Sequence, residues 1–145
     1  MSVKTDANIH TSVLLHELVT ALDIQTHKQN IIVDGTLGLA WHASAVISQM
    51  HVWDIFIGFD ADERNLKLAR ERLEVLQSPV KIILIHSNFE LLREKLVEQN
   101  IENITGIYYD LWVSSMHFDE ADRGFSLRLD GPLDMRFNTR TGKTA

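Results

Sequence analysis

The sequence predicts an open, doubly wound α/β fold built on a parallel sheet. Short apolar runs that read as strands alternate with stretches of helical spacing. The runs are apolar at successive positions, as strands covered by helices on both faces are. Three of the four end in an aspartate, Asp34, Asp60 and Asp110, which lines acidic side chains along one edge of such a sheet. Four strands are few for this architecture, so the sheet is expected to be truncated after about the fourth strand.

Thr11 or Ser12 is placed to cap a first helix carrying Val13, Leu14, Leu18 and Leu22 at helical spacing. Ile31, Ile32 and Val33 form the first strand, stopped by Asp34 and Gly35. A second helix is expected over 41–50, and the apolar run 55–59 forms the second strand, ending at Asp60. Asp62 caps the next helix, whose Leu66, Ala69, Leu73 and Leu76 share one face. Glu63 and Lys67 on that helix make an i,i+4 pair in the favourable order. Ser78 and Pro79 break it. Residues 80–85 read as the third strand, Asn88 caps a helix carrying Leu92 and Leu96, and 104–109 read as the fourth strand. Beyond Asp110 the periodicity stops, and only Gly-Phe-Ser at 124–126 and Asp-Gly-Pro at 130–132 punctuate a polar sequence.

At 145 residues, 45% hydrophobic and 23% charged, the chain has the bulk of one globular domain. No apolar run approaches a membrane span, and the N-terminus has no apolar stretch after its first charges to serve as a secretory signal. The lack of cysteine excludes disulfides and thiolate metal sites and fits a cytoplasmic location. The seven histidines show no paired ligand spacing, so no metal site is expected. A net charge of -6 is the wrong sign for a protein whose main task is gripping phosphates. The charge is uneven, however. Residues 121–145 hold Arg123, Arg128, Arg136, Arg140 and Lys143 against Asp122, Asp130 and Asp134, so that segment is +2 and the remainder -8.

In open α/β sheets ligands bind beyond the carboxyl ends of the strands, where the strand order switches. Asp34 is followed there by Gly35-Thr36-Leu37-Gly38, glycines that let backbone approach a ligand closely. Asp60 is placed to accept hydrogen bonds from both hydroxyls of a ribose, and Asp110 faces the space for a reacting group. Each aspartate taken singly also suits a helix cap. Three in register, the first followed by a glycine turn, point to a nucleoside cofactor. The turn is not G-x-G-x-x-G, which argues against a dinucleotide dehydrogenase, and no phosphate-binding P-loop is present.

Residues 110–137 read DLWVSSMHFDEADRGFSLRLDGPLDMRF, with DGTLG at 34–38, HTSVLL at 10–15 and GFDAD at 58–62. In this order and spacing the sequence resembles the bacterial 16S rRNA cytosine N(4)-methyltransferase family over nearly the whole chain. The resemblance implies S-adenosylmethionine as cofactor, small-subunit ribosomal RNA or its subunit as partner, and a Rossmann-like class I methyltransferase fold. It implies a cofactor-binding unit at 1–110 and a signature segment at 111–145. Asp34, Gly35 and Gly38 would form the cofactor loop, Ala40, Trp41 and His42 would meet the methionine part, and Asp60 would hold the ribose. Phe89 would lie beside the adenine, Asp110 would line the cleft as the catalytic group facing the amine, and His117 would stand where the family has a cofactor-contacting glutamine. Arg123, Arg128 and Arg136 would hold RNA phosphates or, equally, pair with Asp122, Asp130 or Asp134.

The chain departs from the family at several positions. Trp41 puts bulk where backbone should approach the methionine part, Trp112 replaces a glycine after Leu111, and Ser12 replaces a proline. Family members run on into a helical substrate-recognition region and then complete the sheet, whereas this chain stops at Ala145. It is therefore expected to be a fragment, a truncated product or a degenerate copy. It would act as an enzyme in its complete form, or as a silent cofactor- or RNA-binding module, or as half of a split enzyme. Phe125, Leu127, Leu129 and Leu133 are expected to pack against something, which makes self-association a further expectation.

Overall fold

The computed structural model describes residues 14–111 and 115–145. The Thr11 and Ser12 cap, Val13, Trp112 and Ser114 lie outside them. The described residues form a four-stranded, all-parallel sheet in the order β3-β2-β1-β4: β1 Ile31–Asp34, β2 Ile55–Asp60, β3 Lys81–His86 and β4 Gly106–Tyr108. The helices are α1 Leu15–Ala21, α2 Trp41–Ser48, α3 Glu63–Val75, α4 Leu92–Glu98 and α5 Ser115–Asp119.

Successive strand residues point to opposite sides, and each side meets its own layer. Ile32, Phe56, Ile82, Leu84 and Tyr108 pack with α1, α2 and α3 through Leu18, Val46, Ile47, Leu66 and Leu73. Val33, Ile57, Phe59, Ile83 and Ile85 face α4 through Leu92 and Leu96. Phe56 and Phe59 are fully buried on opposite faces, each stabilising the fold by roughly 2–3 kcal/mol through the apolar area it removes from water. The first two crossovers run outward on one face, and the third returns on the other to place β4 beside β1. The strand order therefore switches between β1 and β4.

Two boundaries differ from the expectation for physical reasons. The fourth strand is three residues, not 104–109. Ile104 turns into the α4 layer, and the Asp110 N–H donates to the Thr36 hydroxyl at 2.6 Å instead of to a strand. Asn88 accepts from the Glu90 N–H and so caps a 3-10 turn, Phe89–Leu91, which precedes α4. The cap by Asp62 is as expected, its side chain accepting from the Arg64 N–H. At the amino-terminal edge of the sheet, buried Asp54 clamps two loops by accepting from the Asn30 and His51 N–H groups, both at 2.7 Å.

Residues 115–145 contain α5, a 3-10 turn at Ala121–Arg123 and irregular chain. They dock on the first turn of α3. Asp62 meets Arg123 at 3.0 Å and His117 at 3.3 Å, Glu63 meets Arg140 at 2.7 Å, and Arg64 meets Glu120 at 2.7 Å. Behind them His117, Phe125 and Phe137 pack as three rings with centroids 5.0 to 5.4 Å apart.

Candidate active site

The carboxyl ends of β1, β2 and β4 converge at the switch point. The loop after β1 folds tightly because Gly38 and Ala40 both take the left-handed conformation, at φ 53° and 61°. Glycine is suited to that conformation, whereas in alanine it is a mild strain held by the buried position. The turn brings the Gly38 N–H onto Asp60 Oδ2 at 2.8 Å. Asp60 Oδ1 accepts from the Asp62 N–H at 2.7 Å, and the Asn65 amide reaches both oxygens at 3.3 and 3.4 Å. Asp34 makes the same i to i+2 turn, accepting from the Thr36 N–H at 2.9 Å. Asp110 faces His42, with Oδ2 3.2 Å from Nδ1.

Burial makes Asp34 and Asp60 expensive to charge. It pushes the Asp34 carboxyl from 3.8 up to about 7, against the opposing effect of the Thr36 N–H. Burial also raises Asp60, partly offset by its Asp62 and Gly38 donors. The Tyr108 hydroxyl, raised by burial and by Asp34, is buried beside that carboxyl without closing a hydrogen bond of ordinary geometry. Carboxylates held at a cost in one cleft are predisposed to a cation. Asp60 keeps acceptor capacity beyond its two short bonds, since a carboxylate offers about four lone-pair sites. A cationic nucleoside bearing ribose hydroxyls fits this donor and acceptor set. Beyond Asp60 a cleft of about 610 Å³ opens between the end of β3 and the docked segment, lined by Ala61, Ser87, Asn88 and Phe137 among others.

The switch point thus gathers Asp34, Gly35, Gly38, Ala40, His42, Asp60 and Asp110, with Asp34 and Ala40 buried and none of the seven among the residues that line the 610 Å³ cleft. Phe89 is 44% exposed, with its ring edge-on to Tyr109 at 5.6 Å; the Tyr109 ring covers Gly35. Trp41 is placed differently from the expectation that its bulk would fill the methionine pocket. Its indole lies against the Arg72 guanidinium of α3, 3.3 Å from the ring centroid, so that bulk is taken up between two helices.

His117 is 2% exposed, set between Phe125 and Phe137 with Nε2 3.3 Å from Asp62 Oδ2. The structure gives it a place in the docking interface instead of the expected cofactor contact. Arg123 corrects the phosphate assignment outright. It is 3% exposed, with both terminal nitrogens 3.0 Å from Asp62 Oδ2, and its partner is none of the three aspartates expected. Arg136 pairs with Asp134 at 2.6 Å, the alternative left open for it. Arg128 is exposed, as are Leu127, Leu129 and Leu133. Sequence reasoning missed Thr36, Asn65 and the double duty of Asp62. Thr36 carried a signal in its place within DGTLG, but Asn65 looked like any polar helix residue.

A parallel, doubly wound sheet with acidic side chains at its switch point defines a Rossmann-like architecture. The chain belongs to the MraW methylase family, whose model matches residues 7–145. It is 43% identical over 131 residues to ribosomal RNA small subunit methyltransferase H of Clostridioides difficile, covering 90% of this chain and 41% of that one. The namesake from Acetivibrio thermocellus is 40% identical over 136 residues, covering 94% and 43%. The chain therefore spans less than half the length of these relatives. A solved rRNA-methylase from Clostridium thermocellum shares the fold with a TM-score of 0.50 at 15% identity, over 58% of this chain and 47% of that one. Among the described residues no helix is long and apolar enough to cross a membrane.

Proposed function

We propose that this chain is the cofactor-binding part of an S-adenosylmethionine-dependent methyltransferase that modifies the exocyclic amine of a cytosine in small-subunit ribosomal RNA. The observation that carries the reading is the convergence of Asp34, Asp60 and Asp110 with His42 on the switch-point loop of a MraW-family chain. The cofactor supplies an electrophilic methyl group on a cationic sulfur. Asp60 holds the ribose hydroxyls, Phe89 and the loop at Asn88 flank the base, and the buried carboxylates favour the positive charge.

A cytosine amine is a weak nucleophile because its lone pair is shared with the ring, so catalysis consists of orienting it and stabilising the charge it gains. Asp110 accepts from the amine N–H at the end of β4. His42 and Thr36 hold that residue in place from the side chain and the backbone. The base must reach the cleft unstacked, from single-stranded RNA or turned out of a helix. Exposed Arg128 is the remaining candidate for a phosphate contact.

Calorimetric titration with S-adenosylmethionine tests the reading. Binding that falls by roughly tenfold or more in Asp60→Ala is expected, since two hydroxyl contacts to a charged acceptor are lost. A folded chain that binds nothing, and small-subunit particles left unmethylated by it, would refute the proposal.

A further inference from the structure

We propose that Asp62 is a positioning residue that makes the seating of Asp60 depend on the docking of residues 115–145. The inference rests on the proposed role of Asp60 toward the cofactor. Asp62 faces both ways. Its backbone N–H holds Asp60 Oδ1 at 2.7 Å, one of the two short bonds that orient that carboxylate. Its side chain caps α3 through Oδ1 and receives Arg123 and His117 on Oδ2. Arg123 in turn donates to the carbonyls of Arg136 and Phe137 at 3.1 and 3.2 Å, so one guanidinium ties the far end of the signature segment to this aspartate.

Both charges are almost fully buried, at 4% and 3% exposure. Removing Arg123 would leave the buried Asp62 carboxylate without its two closest ionic contacts and with Arg64 Nε, at 3.6 Å on the other oxygen, as its remaining guanidinium, an imbalance a protein relieves by moving the group toward water. The backbone of Asp62 cannot move without disturbing its bond to Asp60. The docked state is also incompletely satisfied: among the described residues, His117 Nδ1 and Arg123 Nε are buried without hydrogen-bond partners. Docking is thus poised, and by linkage any ligand that Asp60 holds will stabilise the docked segment to the same degree that docking strengthens the ligand.

The test uses the whole chain and two readouts. Amide NMR of the cofactor-free protein follows Gly38 and Asp62, the two donors to Asp60, and calorimetry gives S-adenosylmethionine affinity. Arg123→Ala should shift both amides and weaken binding by roughly tenfold. Arg123→Lys, which keeps a cation but loses the forked contacts, should fall between it and the native chain. Arg140→Ala breaks the exposed pair to Glu63 and should leave Gly38 unshifted and affinity within roughly twofold. Release of residues 115–145 to protease in Arg123→Ala, with the Gly38 amide and the affinity unchanged, overturns the proposal. If Arg123→Ala does not fold, Arg123→Lys decides: a Gly38 amide at its native position overturns it. A native chain that binds no cofactor refutes the proposed function instead, and the Gly38 response still decides the coupling.

Discussion

Replacing Asp34 by asparagine should stabilise the protein, and only above a defined pH. The side chain is 2% exposed, and burial raises its carboxyl from 3.8 to about 7. Between those values the folded chain holds a proton that the unfolded chain has released, so stability falls as pH rises through the window and stays low above it. A shift of this size corresponds to roughly 4 kcal/mol, an upper figure because the loop can relax. Asparagine has the same shape and its carbonyl oxygen can still accept from the Thr36 N–H, so the turn survives while the charge disappears.

Urea unfolding of both proteins at about pH 4.5 and about pH 8 measures the effect. The native chain should lose stability between the two conditions. Asp34→Asn should lose less and be the more stable of the pair at the higher pH. Some slope will remain in the variant because Asp60 is raised in the same direction. Equal slopes in the two proteins would refute the idea that Asp34 is held at a cost. The same substitution should weaken binding of a cationic ligand, since the charge that burdens the fold is what the ligand would neutralise.

Three further perturbations test other parts of the structure. Asp54→Ala removes the acceptor for the Asn30 and His51 N–H groups and should cost about 3 kcal/mol or more, read as a drop in urea midpoint; an unchanged midpoint would mean that water replaces the clamp. Burial opposes the charge on Asp54 but these donors outweigh it and hold the carboxyl below its ordinary value, so its contribution should persist in mild acid and vanish only as pH falls through that lowered value. Trp41→Gly forfeits the stack on Arg72 and places glycine at a helix start, which should cost roughly 1–2 kcal/mol. It should leave S-adenosylmethionine affinity within about twofold, whereas a large gain would show that the indole obstructs the cleft. Gly58→Val pushes side-chain atoms into Leu37, which lies 2.8 Å from where even a Cβ would sit, and should destabilise the chain by about 1–3 kcal/mol, measured as a lower melting temperature.

Order and type of the elements follow from sequence alone, because strand runs such as 31–33 and 55–59 are apolar on both faces and only a sheet covered twice buries them. Asp34 and Asp60 were legible for the same reason and close their strands as read, whereas Asp110 lies two residues past the end of β4. Asp34 and Asp60 also carry their local hydrogen bonds within two residues, a geometry that short spacing dictates. The partners of Asp62, Trp41 and His117 were not legible. Arg123 lies 61 residues from Asp62, and Arg72 is 31 from Trp41, separations at which no local pattern ranks one arginine above another. An arginine read as a phosphate contact from its charge became a buried strut once the chain folded, because tertiary packing decides which charges keep their water.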